Sequence, residues 1–279
     1  LGASEEEVII TRNTTESLDL VISGLEWKTG DEAIWSVHDY GAMQDQFRLM
    51  ERRYGIVNKV VEVPIHPKSD EEIVEVYRKA ITDKTRLLMV CHMINITGHV
   101  LPVRKICDMA HKQGVEVLVD GAHTFAHLDF KIDELNCDYF GTSLHKWLSA
   151  PIGSGLLYVR KEKVPQLHPI FATRGRDKGD IHRLNHMGTH PPAIEMAIDN
   201  AMNYYEKLGI QRKEARLRFL QEYWTSKLRG IPGIEIFTPE DSQRACAIAT
   251  VGLKNMSPGE LAHKLMEDYS IWTVAINNE

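Results

Sequence analysis

"TRLLMVCHMINITGHVLPVRKICDMAHKQGVEVLVD", residues 85–120, holds two apolar runs on either side of a helix-like stretch. Within the first, Leu87–Cys91 is apolar without a break rather than at every second position. A strand of that kind is covered on both faces, as strands of parallel sheets are. Pro102 then opens a helix-like segment and Gly114 closes it. Proline suits a first helical turn, and glycine the residue past the last. Val115–Asp120 is the second apolar run, and it ends on an acid. Strand, helix and strand in this order make the crossover that joins parallel neighbours.

The alternation continues in both directions. "EVIITR" (7–12) precedes an amphipathic stretch from Thr15 to Leu25, and "EAIWSV" (32–37) precedes one from about Ala42 to Tyr54. "KVVEVP" (59–64) precedes "SDEEIVEVYRKAI", where Ser69 reads as an N-cap with carboxylates in the first turn. "CDYFGTS" (137–143) and "GSGLLYVR" (153–160) complete seven strand-like runs. The expected fold is α/β, a mostly parallel seven-stranded sheet forming a large domain over residues 1–210. Ligands of such sheets bind beyond the carboxyl ends of the strands. Two long helix-like stretches follow, then a β-β-α-β pattern in "GIEIFTP", "CAIATVGL", "SPGELAHKLMEDY" and "IWTVAIN". This predicts a smaller α+β domain over residues 211–279. The polar stretch 172–190, "ATRGRDKGDIHRLNHMGTH", reads as a mobile loop over a site.

Composition narrows the function. The 279 residues are 43% hydrophobic and 26% charged, enough for a sizeable core. The net charge is −6 and there is no Lys/Arg block, which argues against a nucleic-acid surface. No apolar run approaches the roughly 18 residues of a membrane helix. Cys91, Cys107, Cys137 and Cys246 are scattered without CxxC spacing, as expected of reduced thiols in a cytoplasmic protein. The chain starts at Leu1 without Met and stops directly after a strand-like run, so both ends of the natural protein are expected to be missing.

The candidate chemistry centres on Lys146 in "TSLHKWLSAP" (142–151). Most lysines are solvated. One that ends a strand-like run, between His145 and Trp147, is either a surface lysine or is held inward for its amine. Asp120 is either a cap or turn residue or a ligand at a strand end. With His123, His127 and Asp129 close by in sequence, a metal-dependent hydrolase is one reading. The other is a lysine-bound pyridoxal phosphate. That cofactor needs an acid at its pyridine nitrogen, which Asp120 can be. It needs phosphate donors at a helix N-terminus, which "NTTES" (13–17) offers, with Ser143 and His145 adding to them. It needs a lysine that reaches its aldehyde carbon, which Lys146 can be.

"TRNTTESLDLV", "CHMINITGHVLPV", "VDGAHTFAHLDFKIDELNCDYFGTSLHKWLSAPIGSGLLYVRK" and "GTHPPA", in this order, resemble the class V aminotransferase family of pyridoxal-phosphate enzymes. "HDYGAM" and "IWTVAIN" are most similar to its isopenicillin-N-epimerase-like branch. The resemblance covers nearly the whole chain. It implies the aspartate-aminotransferase-like fold and a role for each matching residue. Lys146 carries the cofactor as a Schiff base and moves the proton at the substrate α-carbon. Asp120 binds the pyridine nitrogen. His123 stands near the phenolic oxygen, and Asn95 contacts that oxygen or the substrate. Thr14, Thr15, Ser143 and His145 surround the phosphate. Thr189 reaches the phosphate of a neighbouring subunit, which implies a homodimer with shared sites.

Two departures bear on the reaction. Desulfurases of this family carry a stacking histidine in the segment that reads "HDYGAM" here, where Gly41 stands with Tyr40 beside it. The family's substrate-carboxylate arginine and desulfurase cysteine usually come after the point where this chain stops, which leaves the substrate and the reaction type open. The expected function is a pyridoxal-phosphate enzyme acting on an amino acid, an epimerase or lyase before a transaminase or desulfurase.

Overall fold

Thr85–Cys91 is buried along nearly its whole length, because its side chains divide between two layers. Leu88 and Val90 enter one apolar cluster, and Leu87 and Met89 the other. The computed structural model describes residues 1–276. In chain order the large unit contains β1 (Val8–Thr11), α1 (Thr14–Gly24), β2 (Glu32–Ser36), α2 (Gly41–Tyr54), β3 (Val57–Val61), α3 (Asp70–Ala80), β4 (Thr85–Cys91) and α4 (Val103–His111). It continues with β5 (Glu116–Asp120), α5 (Ile132–Leu135), β6 (Tyr139–Ser143) and β7 (Gly155–Val159). The seven strands form one sheet in the order β1-β7-β6-β5-β4-β2-β3. Only β7 runs against the rest, pairing antiparallel with both β1 and β6. The expected mostly parallel seven-stranded sheet is the sheet observed.

Residues of α1 and α2, among them Leu18, Val21, Phe47 and Met50, fill the cluster on one face. Residues of α3, α4 and α5, among them Tyr77, Ile106 and Ile132, fill the other. Local signals set the helix ends. The Asn13 side chain accepts from Glu16 N–H at the start of α1, and Ser69 accepts from Glu72 N–H at the start of α3. Gly55, at φ 71°, ends α2 in the left-handed conformation that glycine adopts without strain.

The C-terminal part contains α6 (Ala193–Leu208), α7 (Ile210–Leu228), β8 (Ile234–Ile236), β9 (Val251–Leu253) and α8 (Pro258–Tyr269). β8 and β9 pair antiparallel as a separate two-stranded sheet. Two expected strands differ. "CAIATVGL" is a strand only from Val251, because the backbone before it bonds elsewhere: Arg244 C=O accepts from Val100 N–H at 2.8 Å, and Ala247 N–H donates to His127 at 3.1 Å. "IWTVAIN" carries no strand over residues 271–276, and Trp272 is exposed; an apolar alternation forms a strand only where a neighbour pairs with it. Its Asn277, like Asn278 and Glu279 of the expected second domain, lies outside the described residues.

Candidate active site

The carboxyl ends of the parallel strands bring the singled-out residues together. Cys91 ends β4, Asp120 ends β5 beside it in register, and Ser143 ends β6. Asp120 is 4% exposed. Its Oδ1 accepts from Ala122 N–H at 2.9 Å, and among the described residues its Oδ2 has no hydrogen bond. Burial pushes its pKa up, and only the Ala122 bond and the charge of Lys146 pull the other way. A buried carboxylate with one free oxygen is costly unless a cationic donor meets it.

Lys146 lies in a tight loop after β6. Leu144 N–H donates to Ser154 C=O, Ala150 N–H to Leu144 C=O, and Ser149 has a left-handed φ of 62°. Backbone held in a sparsely populated region is frequent where side chains are aimed for function. Lys146 is exposed by area, yet its Nζ sits 3.2 Å from His123 Nε2. Loss of hydration there is the first cause lowering its ammonium pKa, with Asp120 and Cys91 opposing it. His123 is half-buried, and burial, Lys146 and His127 push it down to about 3. Its Nδ1 faces Trp147 Nε1–H at 3.4 Å. The fully buried His127 stacks on Trp147 with ring centroids 3.8 Å apart.

At the start of α1, Thr14 N–H donates to Ser143 Oγ at 2.8 Å and the two hydroxyls meet at 2.7 Å. Asn13 caps Glu16 N–H. Thr15 N–H has no partner among the described residues and stands in the first helical turn. Gly155 permits this close approach of β7 to the helix start, since a Cβ there would lie 2.6 Å from Asn13 N. His145 Nδ1 donates to Ser154 C=O at 3.1 Å, leaving Nε2 for another partner. Helix N-terminus, hydroxyls and imidazole together make an anion cradle next to Lys146.

Asn95 is half-buried in the loop after β4. That loop is clamped by the C-terminal part: Thr238 Oγ1 donates to Thr97 C=O at 2.6 Å, and a Cβ on Gly98 would lie 2.1 Å from Ile248 C=O. Thr189 is exposed and takes part in none of these hydrogen bonds. Two residues at the site carried no clear signal in the sequence. Asp39, just after β2, is 4% exposed; its Oδ2 accepts from Ser36 N–H at 2.7 Å and its Oδ1 is buried without a partner. Burial first, then Asp120, raises it to about 8, against the Ser36 bond. An isolated acid in a turn reads as a loop residue. Trp147 reads as packing, and only the fold shows its N–H at His123. Tyr40 is 55% exposed at the start of α2.

The metal reading finds no site. Among the described residues no three His, Cys, Asp or Glu side chains are grouped to hold an ion. His127 has both nitrogens committed, Nδ1 donating to His123 C=O at 2.6 Å and Nε2 accepting from Ala247 N–H. Pyridoxal phosphate suits the residues present. The free oxygen of Asp120 asks for a cationic N–H, the α1 start asks for an anion, and Lys146 offers an amine between two aromatic neighbours. Among the described residues, no helix is long and apolar enough to cross a membrane.

The sequence pattern of the family described as aminotransferase class-V matches residues 1–275. The isopenicillin N epimerase of Amycolatopsis lactamdurans is 31% identical over 86% of this chain and 65% of its own length. That of Streptomyces clavuligerus is 26% identical over 97% and 72%. A probable cysteine desulfurase of Halalkalibacterium halodurans is 26% identical over 96% and 67%. The chain thus spans about two thirds of the length of these relatives. Among solved structures, C-DES with glycine covalently linked to its PLP cofactor superimposes with a TM-score of 0.88, at 22% identity, over 98% of this chain and 74% of that one. A cysteine desulfurase from Thermococcus onnurineus NA1 superimposes with 0.84, also at 22% identity, over 97% and 69%. The chain belongs to the class-V aminotransferase family of pyridoxal-phosphate enzymes.

Proposed function

We propose that this chain uses pyridoxal phosphate held on Lys146 to act on the α-carbon of an amino acid, as an isopenicillin-N-epimerase-like epimerase or lyase. The observation that carries the reading is that Asp120, buried at the end of β5 with one oxygen unpartnered among the described residues, and Lys146, in the loop after the adjacent β6 with its Nζ 3.2 Å from His123 Nε2, lie at the same edge of the sheet. When bound, the cofactor supplies an electron sink for the substrate α-carbon. Asp120 holds a proton on the pyridine nitrogen, which keeps that sink effective. Thr14, Thr15, Ser143 and His145 hold the phosphate and so orient the ring. Lys146 takes and returns the α-proton, a role suited to an amine of lowered pKa. His123, neutral, and Asn95 orient the phenolic oxygen or the substrate.

The curated relatives at 31% and 26% identity named isopenicillin N epimerase support the branch. A homodimer belongs to the same proposal, since Thr189 is exposed and makes no hydrogen bond to its own site. Operation in the cytoplasm is supported by the four free thiols.

Amino acids are offered to the cofactor-loaded protein and the products sorted into opposite stereoisomer, keto acid and sulfide. The stereoisomer, or an elimination product, is expected. Sulfide would favour the desulfurase reading, keto acid the transaminase, and no turnover of any amino acid would remove the proposal.

A further inference from the structure

The contacts around Lys146 include one group with no choice of role. An indole N–H only donates, and that of Trp147 points at His123 Nδ1. Nδ1 is therefore the bare nitrogen of the ring. A neutral imidazole carries one proton, so the proton is on Nε2, which faces Lys146 Nζ at 3.2 Å. An N–H can be accepted only by a nitrogen lone pair, and an ammonium has none. We propose that Trp147 is a positioning residue: by fixing the His123 proton on Nε2, it holds Lys146 as the free amine, the form that can capture an aldehyde cofactor. This rests on the reading of Lys146 as the cofactor lysine and adds how the chain keeps that amine ready.

The indole is itself held in place. It stacks on His127 at an interplanar angle of 24°, and its backbone carbonyl accepts from the Lys213 ammonium. His127 cannot re-orient, since it donates to His123 C=O and accepts from Ala247 N–H. At 3.4 Å the indole bond is long and weak. It need only choose between two imidazole tautomers, for which one modest hydrogen bond suffices. The other groups facing Lys146 are Asp120 from β5 and Cys91 from β4, and both favour the ammonium. Burial and the Trp147–His123 pair are what oppose them. His123 is faced in turn by Lys146 and His127, both of which disfavour its imidazolium.

The test uses the chain without cofactor. Nitrogen-15 NMR of labelled histidine is expected to show His123 with a bare Nδ1 and a protonated Nε2. The Lys146 Cε shift, followed against pH, reports the midpoint of its amine. Trp147→Phe keeps an aromatic ring for the stack and removes the N–H. In it, the His123 proton is expected to divide between the two nitrogens and the Lys146 midpoint to rise by about one unit, with uptake of pyridoxal phosphate at neutral pH slowed about tenfold. A purely packing role for Trp147 leaves both NMR readouts unmoved, and that result would overturn the proposal. So would a wild-type His123 protonated on Nδ1, a measurement that needs no variant. Failure of the wild-type chain to take up pyridoxal phosphate would count against the cofactor reading alone, because the two NMR readouts decide on Trp147 without it.

Discussion

The two ends of β5 each carry a buried acid, and they are treated in opposite ways. Glu116 at the amino end is 6% exposed and fully served. Arg86 and Lys163 meet its Oε1 at 2.9 and 2.8 Å, and Tyr139 donates to its Oε2 at 2.8 Å. Burial alone would raise its pKa, but Lys163, Arg86 and Tyr139 bring it below the ordinary glutamate value. Asp120 at the carboxyl end is equally buried, has one backbone donor, and its pKa goes up. A protein that supplies three partners to one end of a strand can supply them to the other. That it does not is what the proposed cofactor, bound at the carboxyl end, would explain by completing the bonding of Asp120.

The contrast can be broken by substitution. The largest effect is expected at Lys146→Ala, which removes the amine and should lower kcat by about 10³-fold or more, with the melting temperature nearly unchanged because the side chain is exposed. Asp120→Asn keeps shape and removes charge, and should lower kcat by about tenfold to a hundredfold. Glu116→Gln should do the reverse. It strands two cations and should cost about 3 kcal/mol of stability, the low end for a broken buried pair because Arg86 and Lys163 are part-exposed, with normal turnover per folded molecule. Normal kcat in Asp120→Asn with a lowered melting temperature would make the two acids alike and erase the distinction.

pH sharpens the same comparison. Glu116 is depressed in the fold, so the stability it gives is complete above the ordinary carboxylate pKa of about 4 and fades as pH falls through its folded value. Asp120 is raised, so in the chain without cofactor its ionisation opposes folding at neutral pH and the penalty disappears in acid. Melting curves should therefore show Glu116→Gln least harmful at low pH. Asp120→Asn should stabilise the cofactor-free chain near neutrality and have no effect in acid. The smallest effect is expected at Ser143→Ala, which removes one proposed phosphate donor and should weaken cofactor binding about tenfold, read by equilibrium dialysis.

Much of the fold was legible in the sequence. Leu87–Cys91 and Val117–Val119 are apolar on both faces, which is a parallel-sheet property, and Asn13, Ser69 and Gly55 mark helix ends by local chemistry. The C-terminal strands were less so. Cys246–Thr250 has strand-like residues, but Ala247 N–H is taken by the His127 side chain in the loop after β5, and Arg244 C=O just before the segment is taken by Val100 N–H in the loop after β4, which no local pattern carries. At the site, Lys146, Asp120 and Ser143 stand out because each ends or follows a strand-like run. Asp39 and Trp147 do not, because their roles depend on what faces them: a buried oxygen without a partner in one case, and a histidine from the loop after β5 in the other.

The most direct measurement is the absorption spectrum of the chain mixed with pyridoxal phosphate, followed by borohydride reduction and peptide mapping. A visible band that borohydride removes, with the phosphopyridoxyl group found on Lys146 alone, is the expected result. A colourless mixture, or a label spread over other lysines with Lys146 unmodified, would contradict the assignment of this site.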